Sequence, residues 1–298
     1  MKNILVIGSL NMDFVFDVQN APRPGETIQA RSMTQIPGGK GANQAYAAGK
    51  LGGNVAMLGA VGADSAGDRL LESLSSVGVN VERIIRSEDV GTGLASIYVD
   101  EKGENQIVIA AGANACVDVD YIRRNDDMIQ WCDILMMQLE ISLEAVEYAA
   151  MRAKELGKMV ILDPAPARSD LPDALLKSLY LIKPNENEIL VTQNLVDVPV
   201  EDAAKGLLEK GVENVMVTIG AEGSILYRKG ESPVKVPARS VKAVDTTAAG
   251  DCFAAALAVA MSKDEALPDA AHYASKAAAI SVTRKGAQPS IPAPEEIN

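Results

Sequence analysis

A carboxylate at the far end of a bare turn is the first sign of chemistry in this chain. The stretch "DTTAAGDCFAAALAVAM" opens at Asp245 and runs through Ala248, Ala249 and Gly250 to Asp251, where an alanine-rich helix begins. Residues with little or no side chain let a ligand approach the backbone closely. Amides at a helix start are unpaired, and the helix dipole favours negative charge there. The turn therefore suits an anion, or a charge that develops during reaction. Asp251 inside it can accept a proton from an alcohol. Taken locally, the same carboxylate reads first as a helix cap.

Other stretches have comparable content. "IPGGKGANQAYAAGKLGG" leads from a glycine-rich turn into a second alanine-rich helix, with amides at Gly38, Gly39 and Gly41 and donors at Lys40 and Asn43. It does not match the phosphate-loop pattern. It can grip a polyhydroxylated ligand, or it can be a tight packed turn. "GSLNMD" sets Asn11 and Asp13 after the first apolar run, a pair that can donate to one sugar hydroxyl and accept from another. Glu140 ends "MMQLE", and Asn185 to Glu188 follow "LIKP". Carboxylates and amides at strand ends suit Mg²⁺, usually through water. Thr218, Gly220 and Gly223 in "VTIGAEGS" leave room for a flat nucleotide, or form a β-turn. "SVTRKGAQPS" offers backbone carbonyls and Ser290 to a cation. His272, the single histidine, has no evident partner and reads as structural or exposed.

These residues need a frame. "NILVIG", "DILMMQ", "MVILDP", "LYLIKP" and "NVMVTIG" read as buried parallel strands. "SLEAVEYAAMRAKELG" and "EDAAKGLLEKG" between them have helical spacing and end in glycine. The alternation predicts an α/β fold, a parallel sheet with helices on both faces. In such sheets ligands bind at the carboxyl ends of the strands. Residues 12–36 and 92–110 break the pattern with strand-like runs and no covering helix, including "ETIQARSMTQI" and the turn "DEKGEN". They predict a small β-layer against the main body, able to serve as a lid or a dimer surface. The chain from 1 to 298 is expected to be one domain with that appendage.

Bulk properties narrow the function. A net charge of -12 argues against nucleic acid or an anionic membrane as partner. The N-terminal run is short, reaches Asp13 and reads as a strand rather than a signal peptide. No stretch approaches the roughly 18 apolar residues of a membrane span. Cys116, Cys132 and Cys252 are scattered, which suits neither a disulfide framework nor zinc and points to a reduced, cytoplasmic setting. The dinucleotide fingerprint is missing after the first strand, which disfavours an oxidoreductase.

"GSLNMD", "GGKGANQAYAAGKLG", "GANA", "QLE", "DPAPAR", "KPNENE", "TIGAEG", "DTTAAGD" and "VTRKGAQPS" together resemble the ribokinase (PfkB) family of sugar kinases, in that family's order and over nearly the whole chain. The resemblance implies a three-layer α/β/α fold with a mostly parallel sheet and a β-lid that also forms a homodimer interface. It implies ATP-dependent phosphorylation of D-ribose at the 5-hydroxyl, with Asp251 as base and Ala248, Ala249 and Gly250 as anion hole. Asn11, Asp13, Gly39, Lys40, Asn43 and Glu140 fall at sugar positions. Asn185, Thr218, Gly220, Gly223, Gly250 and Ser275 fall at nucleotide positions. Glu188 matches a glutamate linked to Mg²⁺ through water. Asp245, Thr247, Ser281, Arg284, Gly286 and Ser290 match loops around a potassium-like ion. Ala248 replaces a glycine common in the family, and Ser275 stands where some members carry histidine. Cys252 beside Asp251 raises the question of oxidation, which its exposure decides. A kinase for another sugar, deoxyribose or a nucleoside, and a silent binding protein on the same fold, are the alternatives.

Overall fold

The computed structural model describes residues 1–297. Its strands are β1 (Asn3–Ile7), β2 (Asn11–Asp17), β3 (Ser32–Gly38), β4 (Asn54–Leu58), β5 (Ala60–Gly62), β6 (Ile85–Ser87), β7 (Gly93–Val99), β8 (Asn105–Ala110), β9 (Ile134–Met137), β10 (Met159–Leu162), β11 (Leu181–Ile182), β12 (Asn214–Thr218), β13 (Ser224–Arg228) and β14 (Val234–Val236). The large sheet runs β14-β13-β12-β11-β10-β9-β1-β4. All its pairs are parallel except β12 with β13 and β13 with β14. An antiparallel edge on a parallel sheet is common, because a hairpin needs no crossover helix.

Helices cover both faces: α1 (Lys40–Lys50), α2 (Ser65–Ser76), α3 (Val119–Arg124), α4 (Asp126–Trp131), α5 (Leu143–Glu155), α6 (Asp173–Ser178), α7 (Glu186–Thr192), α8 (Val200–Glu209), α9 (Ala249–Ser262) and α10 (Leu267–Ser281). Strand side chains alternate, so each central strand feeds two cores. Ile4 and Val6 of β1 pack with α1, α2, α9 and α10, while Leu5 and Ile7 pack with α3 to α8. Strands buried on both faces must be continuously apolar, which is why these runs stand out in the sequence. Helix α9 lies inside its layer with nearly every residue buried, and its alanines let α1 and α10 close on it.

Two predicted runs turn out shorter. "LYLIKP" supplies only Leu181 and Ile182 to the sheet. Pro184 has no N–H for a ladder, so the chain leaves the sheet there. In "ETIQARSMTQI" only Ser32 onward is strand, because a turn at Arg23–Glu26 occupies the approach. Strand β4 at the sheet edge, with "NVAML", was not singled out by the sequence reading.

Segments 12–36 and 92–110 supply a second sheet of order β3-β2-β7-β8. Strands β2 and β7 pair in parallel from Asn11 opposite Gly93, and Asp100–Glu104 form the turn between β7 and β8. Residues Asn105–Ala110 are exposed throughout. Among the described residues no helix is long and apolar enough to cross a membrane.

One contact sets the seat of α1. A Cβ on Gly41 would stand 2.6 Å from the carbonyl carbon of Gly8 and from the amide nitrogen of Ser9. The helix therefore starts directly on the loop after β1, backbone against backbone. Gly41→Ala is expected to cost about 1–3 kcal/mol, seen as a lower midpoint in urea denaturation. An unchanged midpoint would mean that α1 can shift without cost.

Candidate active site

The carboxyl ends of β10, β11 and β12, with the starts of α1 and α9, surround a cleft of ≈ 720 Å³. Lys40, Asp163, Lys183, Glu188 and the turn Ala248–Asp251 line its deep end. Thr218, Gly220, Gly223 and Ser275 line the remainder, with Asn185 at the edge of α7. Of the residues expected at a sugar site, only Lys40 and Asp251 touch this cleft. Asn11, Asp13, Asn43 and Glu140 do not line it; Asn43 donates from Nδ2 to Asp251 Oδ2 at 3.2 Å, and the charges of Glu140 and Asp251 act on Asp13, so these residues form a carboxylate-rich cluster around Asp251. Asp251 thus joins the cleft to this polar cluster.

Its position follows from the local chain. Ala248 takes a left-handed conformation with φ 58, which turns the backbone into α9. The Cys252 amide already donates to Ala248 O, and the Ala249 amide donates to Thr246 O at 3.2 Å. Among the described residues, the amides of Ala248, Gly250 and Asp251 have no such partner. Ala249 therefore belongs to the turn by its small side chain, while its N–H is already engaged. The Asp251 side chain does not cap its own helix, so the capping reading fails at this helix. The carboxylate is buried, and Gln44 Nε2 donates to its Oδ1 at 3.1 Å.

Charge is concentrated here. Burial pushes Asp251 up to about 6, with Lys40 pulling the other way and the Asp163 charge adding to the rise. Burial raises Asp13 to about 7, reinforced by Glu140 and Asp251. Lys40 would lose basicity by burial, yet Asp251, Asp163, Glu140 and Glu188 together hold it above its ordinary value. Glu140 is fixed by Ser9 Oγ at 2.5 Å and by the Lys40 amide at 3.0 Å. Lys183 and Asp163 form a buried ion pair at 3.1 Å.

The remaining expected residues divide. Asn185 caps α7, accepting from the Asn187 and Glu188 amides, and Glu188 Oε2 accepts from the Asn185 amide at 2.8 Å. One Glu188 oxygen stays free of that bond, which fits a cation reached through water. Burial raises Glu188, against the pull of Lys183. Gly39 turns the chain into α1 at φ 86. The Ser275 hydroxyl donates to Pro237 O.

Asp245 accepts from the Thr247 amide at 2.9 Å and the Gly286 amide at 2.8 Å. Burial opposes ionisation of Asp245, but those bonds win and hold it below the usual carboxylate range. It thereby ties loop 244–247 to loop 282–290, a fixed anion beside backbone carbonyls, which fits a monovalent cation. Arg284 is a different matter. Its guanidinium leaves the loop to pair with Glu296. The hydroxyls of Ser281 and Ser290 donate to Ala278 O and Ala287 O. The Arg284 guanidinium offers no lone pair to a cation, while both serine hydroxyls, having donated their hydrogens, keep oxygen lone pairs. Cys252 is buried, and burial pushes its thiol up to about 12, so it is poorly placed to oxidise. His272 is exposed.

Sequence reasoning missed Gln44, Gln138, Asp163 and Lys183, all of them buried polar residues. The last two sit inside "DPAPAR" and "LIKPNENE". A charged residue directly ending an apolar strand was the signal available.

Comparison with known proteins agrees with this geometry. Residues 1–294 match the model of the pfkB family carbohydrate kinases. The chain belongs to the pfkB family of carbohydrate kinases. Within the pfkB family it is similar to the ribokinase of Haemophilus influenzae, 40% identical over 99% of this chain and 97% of the relative. A ribokinase structure from Thermotoga maritima has a TM-score of 0.92 at 40% identity, covering 100% of this chain and 98% of that one. The Arabidopsis thaliana ribokinase, solved with ribose and ATP, has a TM-score of 0.94 at 31% identity, covering 99% and 97%. The α/β frame with its smaller sheet is the frame of these pfkB structures.

The raised carboxyls carry a stability cost. Asp13 and Asp251 ionise less readily folded than unfolded. Their burial therefore costs nothing below about pH 4 and destabilises increasingly as pH rises through 6 and 7. Asp13→Asn should melt about 3–6 °C higher than the parent at pH 8 and at nearly the same temperature at pH 4. A variant that melts lower at pH 8 would contradict the charge crowding.

Proposed function

We propose that the protein transfers the γ-phosphoryl group of ATP to the 5-hydroxyl of D-ribose, with Asp251 as general base. The carrying observation is Asp251 itself, a buried carboxylate where the cleft meets a carboxylate-rich cluster, beside unpaired amides at a helix N-terminus. A primary alcohol must lose its proton as the phosphoryl group arrives, and a carboxylate within hydrogen-bond reach can take it. The Gly250 and Asp251 amides, already oriented, would meet charge spreading over the phosphoryl oxygens. The cluster of Asn11, Asp13, Asn43 and Glu140 suits a ligand rich in hydroxyls. The cleft, bordered by Thr218, Gly220, Gly223 and Ser275, suits a nucleotide. The similarity to a ribokinase solved with ribose and ATP supports the pairing of substrates.

Glu188, through water, would help to hold Mg²⁺, which when bound neutralises charge on the phosphate oxygens. The loops joined by Asp245 would hold potassium and keep the turn before Asp251 in place. The four-stranded sheet exposes Ile107 at 51%, Val108 at 64% and Ile109 at 52%. An apolar strand so exposed suits a second copy of the chain, with the sheet acting as both lid and dimer surface. Unpaired thiols at Cys116, Cys132 and Cys252 agree with a reducing, cytoplasmic setting.

The decisive assay offers pentoses, 2-deoxyribose, hexoses and nucleosides with MgATP, in potassium and in sodium. D-ribose should be the best acceptor and potassium the better salt. Asp251→Asn should lower kcat at least about 10³-fold while calorimetry still detects ribose binding. Full turnover in that variant would remove Asp251 from the mechanism, and turnover of no acceptor would favour a binding protein. Sedimentation should find the parent at twice the chain mass and Val108→Asp at the chain mass. A monomeric parent would rule out the dimer.

A further inference from the structure

Behind Asp251 lies a set of buried side-chain amides that the reaction as described does not use. Gln138 Nε2 donates to Gln44 Oε1 at 2.6 Å. With its oxygen engaged, Gln44 must turn its nitrogen the other way. That nitrogen has two hydrogens and meets two carboxylates, Asp163 Oδ2 at 2.9 Å and Asp251 Oδ1 at 3.1 Å. The other oxygen of Asp163 pairs with Lys183 at 3.1 Å. Reversing the Gln44 amide would set its oxygen against two anions and its nitrogen against the donor of Gln138. No member of the chain can flip alone.

A second arm holds the other oxygen of Asp251. Ser73 Oγ donates to Gln288 Oε1 at 2.6 Å, Gln288 Nε2 donates to Asn43 Oδ1 at 3.4 Å, and Asn43 Nδ2 donates to Asp251 Oδ2 at 3.2 Å. The Gln288 link is long, and the Gln44 arm is the tighter of the two. That arm also carries a cost. The Oε1 of Gln138 is buried without a hydrogen-bond partner. A polar group kept in a core despite such an orphan calls for a reason beyond packing.

We propose that Gln44 is a positioning residue for the base: locked by Gln138, it holds the Asp251 carboxylate ionised and fixed in direction, and links it to the Asp163–Lys183 ion pair. The inference rests on the reading of Asp251 as base. The charged groups around Asp251 are Lys40 of α1, Asp163 after β10, Lys183 after β11, Asp13 of β2, Glu140 after β9 and Glu188 of α7, with the neutral thiol of Cys252 adjoining. Two of these bear most directly on it. Lys40 favours the anion and Asp163 opposes it. Gln44 stands between Asp163 and Asp251, so its loss removes a donor and leaves two anions facing each other. Ionisation of the base then needs a higher pH.

The test is the single-turnover rate of phosphoryl transfer from MgATP to D-ribose between pH 5 and 9. It is measured for the parent, Gln44→Met, Gln138→Leu and Asp251→Asn. In Gln44→Met the acid limb should move up by about one unit. The rate should then be about fivefold lower at pH 6 and within about twofold of the parent at pH 9. KM for ribose should stay within about threefold, since the Gln44 side chain is taken up by Asp163, Asp251 and Gln138. Gln138→Leu removes the orphaned oxygen along with the anchor and should shift the limb the same way by a smaller amount. It decides the question if Gln44→Met fails to fold. An unmoved limb, or a loss equal at every pH, with Asp251→Asn inactive, overturns the positioning role alone. Turnover retained in Asp251→Asn overturns the base and this proposal with it.

Discussion

Everything at this site depends on keeping several carboxylates close together in a chain that is already strongly acidic. Asp13, Glu140, Asp163, Glu188 and Asp251 converge from five different segments, and two lysines answer them. Lys183 is spent on Asp163 in a buried pair. Lys40 is left to the others, and their charges raise it despite burial. Taking either lysine away would leave buried negative charge uncompensated, which costs more than the pair itself contributes. The sheet makes the arrangement possible, because parallel strands deliver their carboxyl ends to one edge. It also dictates the expense. Carboxylates crowded in this way destabilise the folded protein, and the apolar layers on both faces of the sheet must offset that.

Small residues are the second requirement. Helix α9 is apolar on all sides, and alanine allows it to sit between β-sheet, α1 and α10 without pushing them apart. At its start the same economy of side chain leaves amides bare. At the start of α1, Gly41 lets backbone lie against backbone. Packing and chemistry thus call for the same residue types, which is why glycine and alanine mark both ends of the site.

Much of the frame was legible because double-sided burial leaves a plain mark. "NILVIG" and "MVILDP" must be apolar at every position to fill two cores. Strand β11 was overestimated, since its neighbours Lys183 and Pro184 belong to the site rather than the sheet. The carboxylates at strand ends were legible by placement. The amides behind them were not: Gln44 and Gln138 look like ordinary polar residues until the fold sets them 2.6 Å apart. Arg284 is a further case: its side chain pairs with Glu296, a glutamate twelve residues on that no local pattern reveals.

The pairing of β2 with β7 has a mechanical meaning. Asn11 and Asp13 open the strand whose far end belongs to the exposed sheet, and Asn11 lies opposite Gly93 at the root of β7. Asn114 clamps that root, exchanging hydrogen bonds with the Leu10 backbone and donating to Asn11 Oδ1 at 2.8 Å. Gly93 leaves room for that clamp, since a side chain there would collide with Asn114 Nδ2 and Asn11 Oδ1. The four-stranded sheet is thus tethered to the body through side-chain amides at the start of β2, while its outer strand β8 lies open along its whole length.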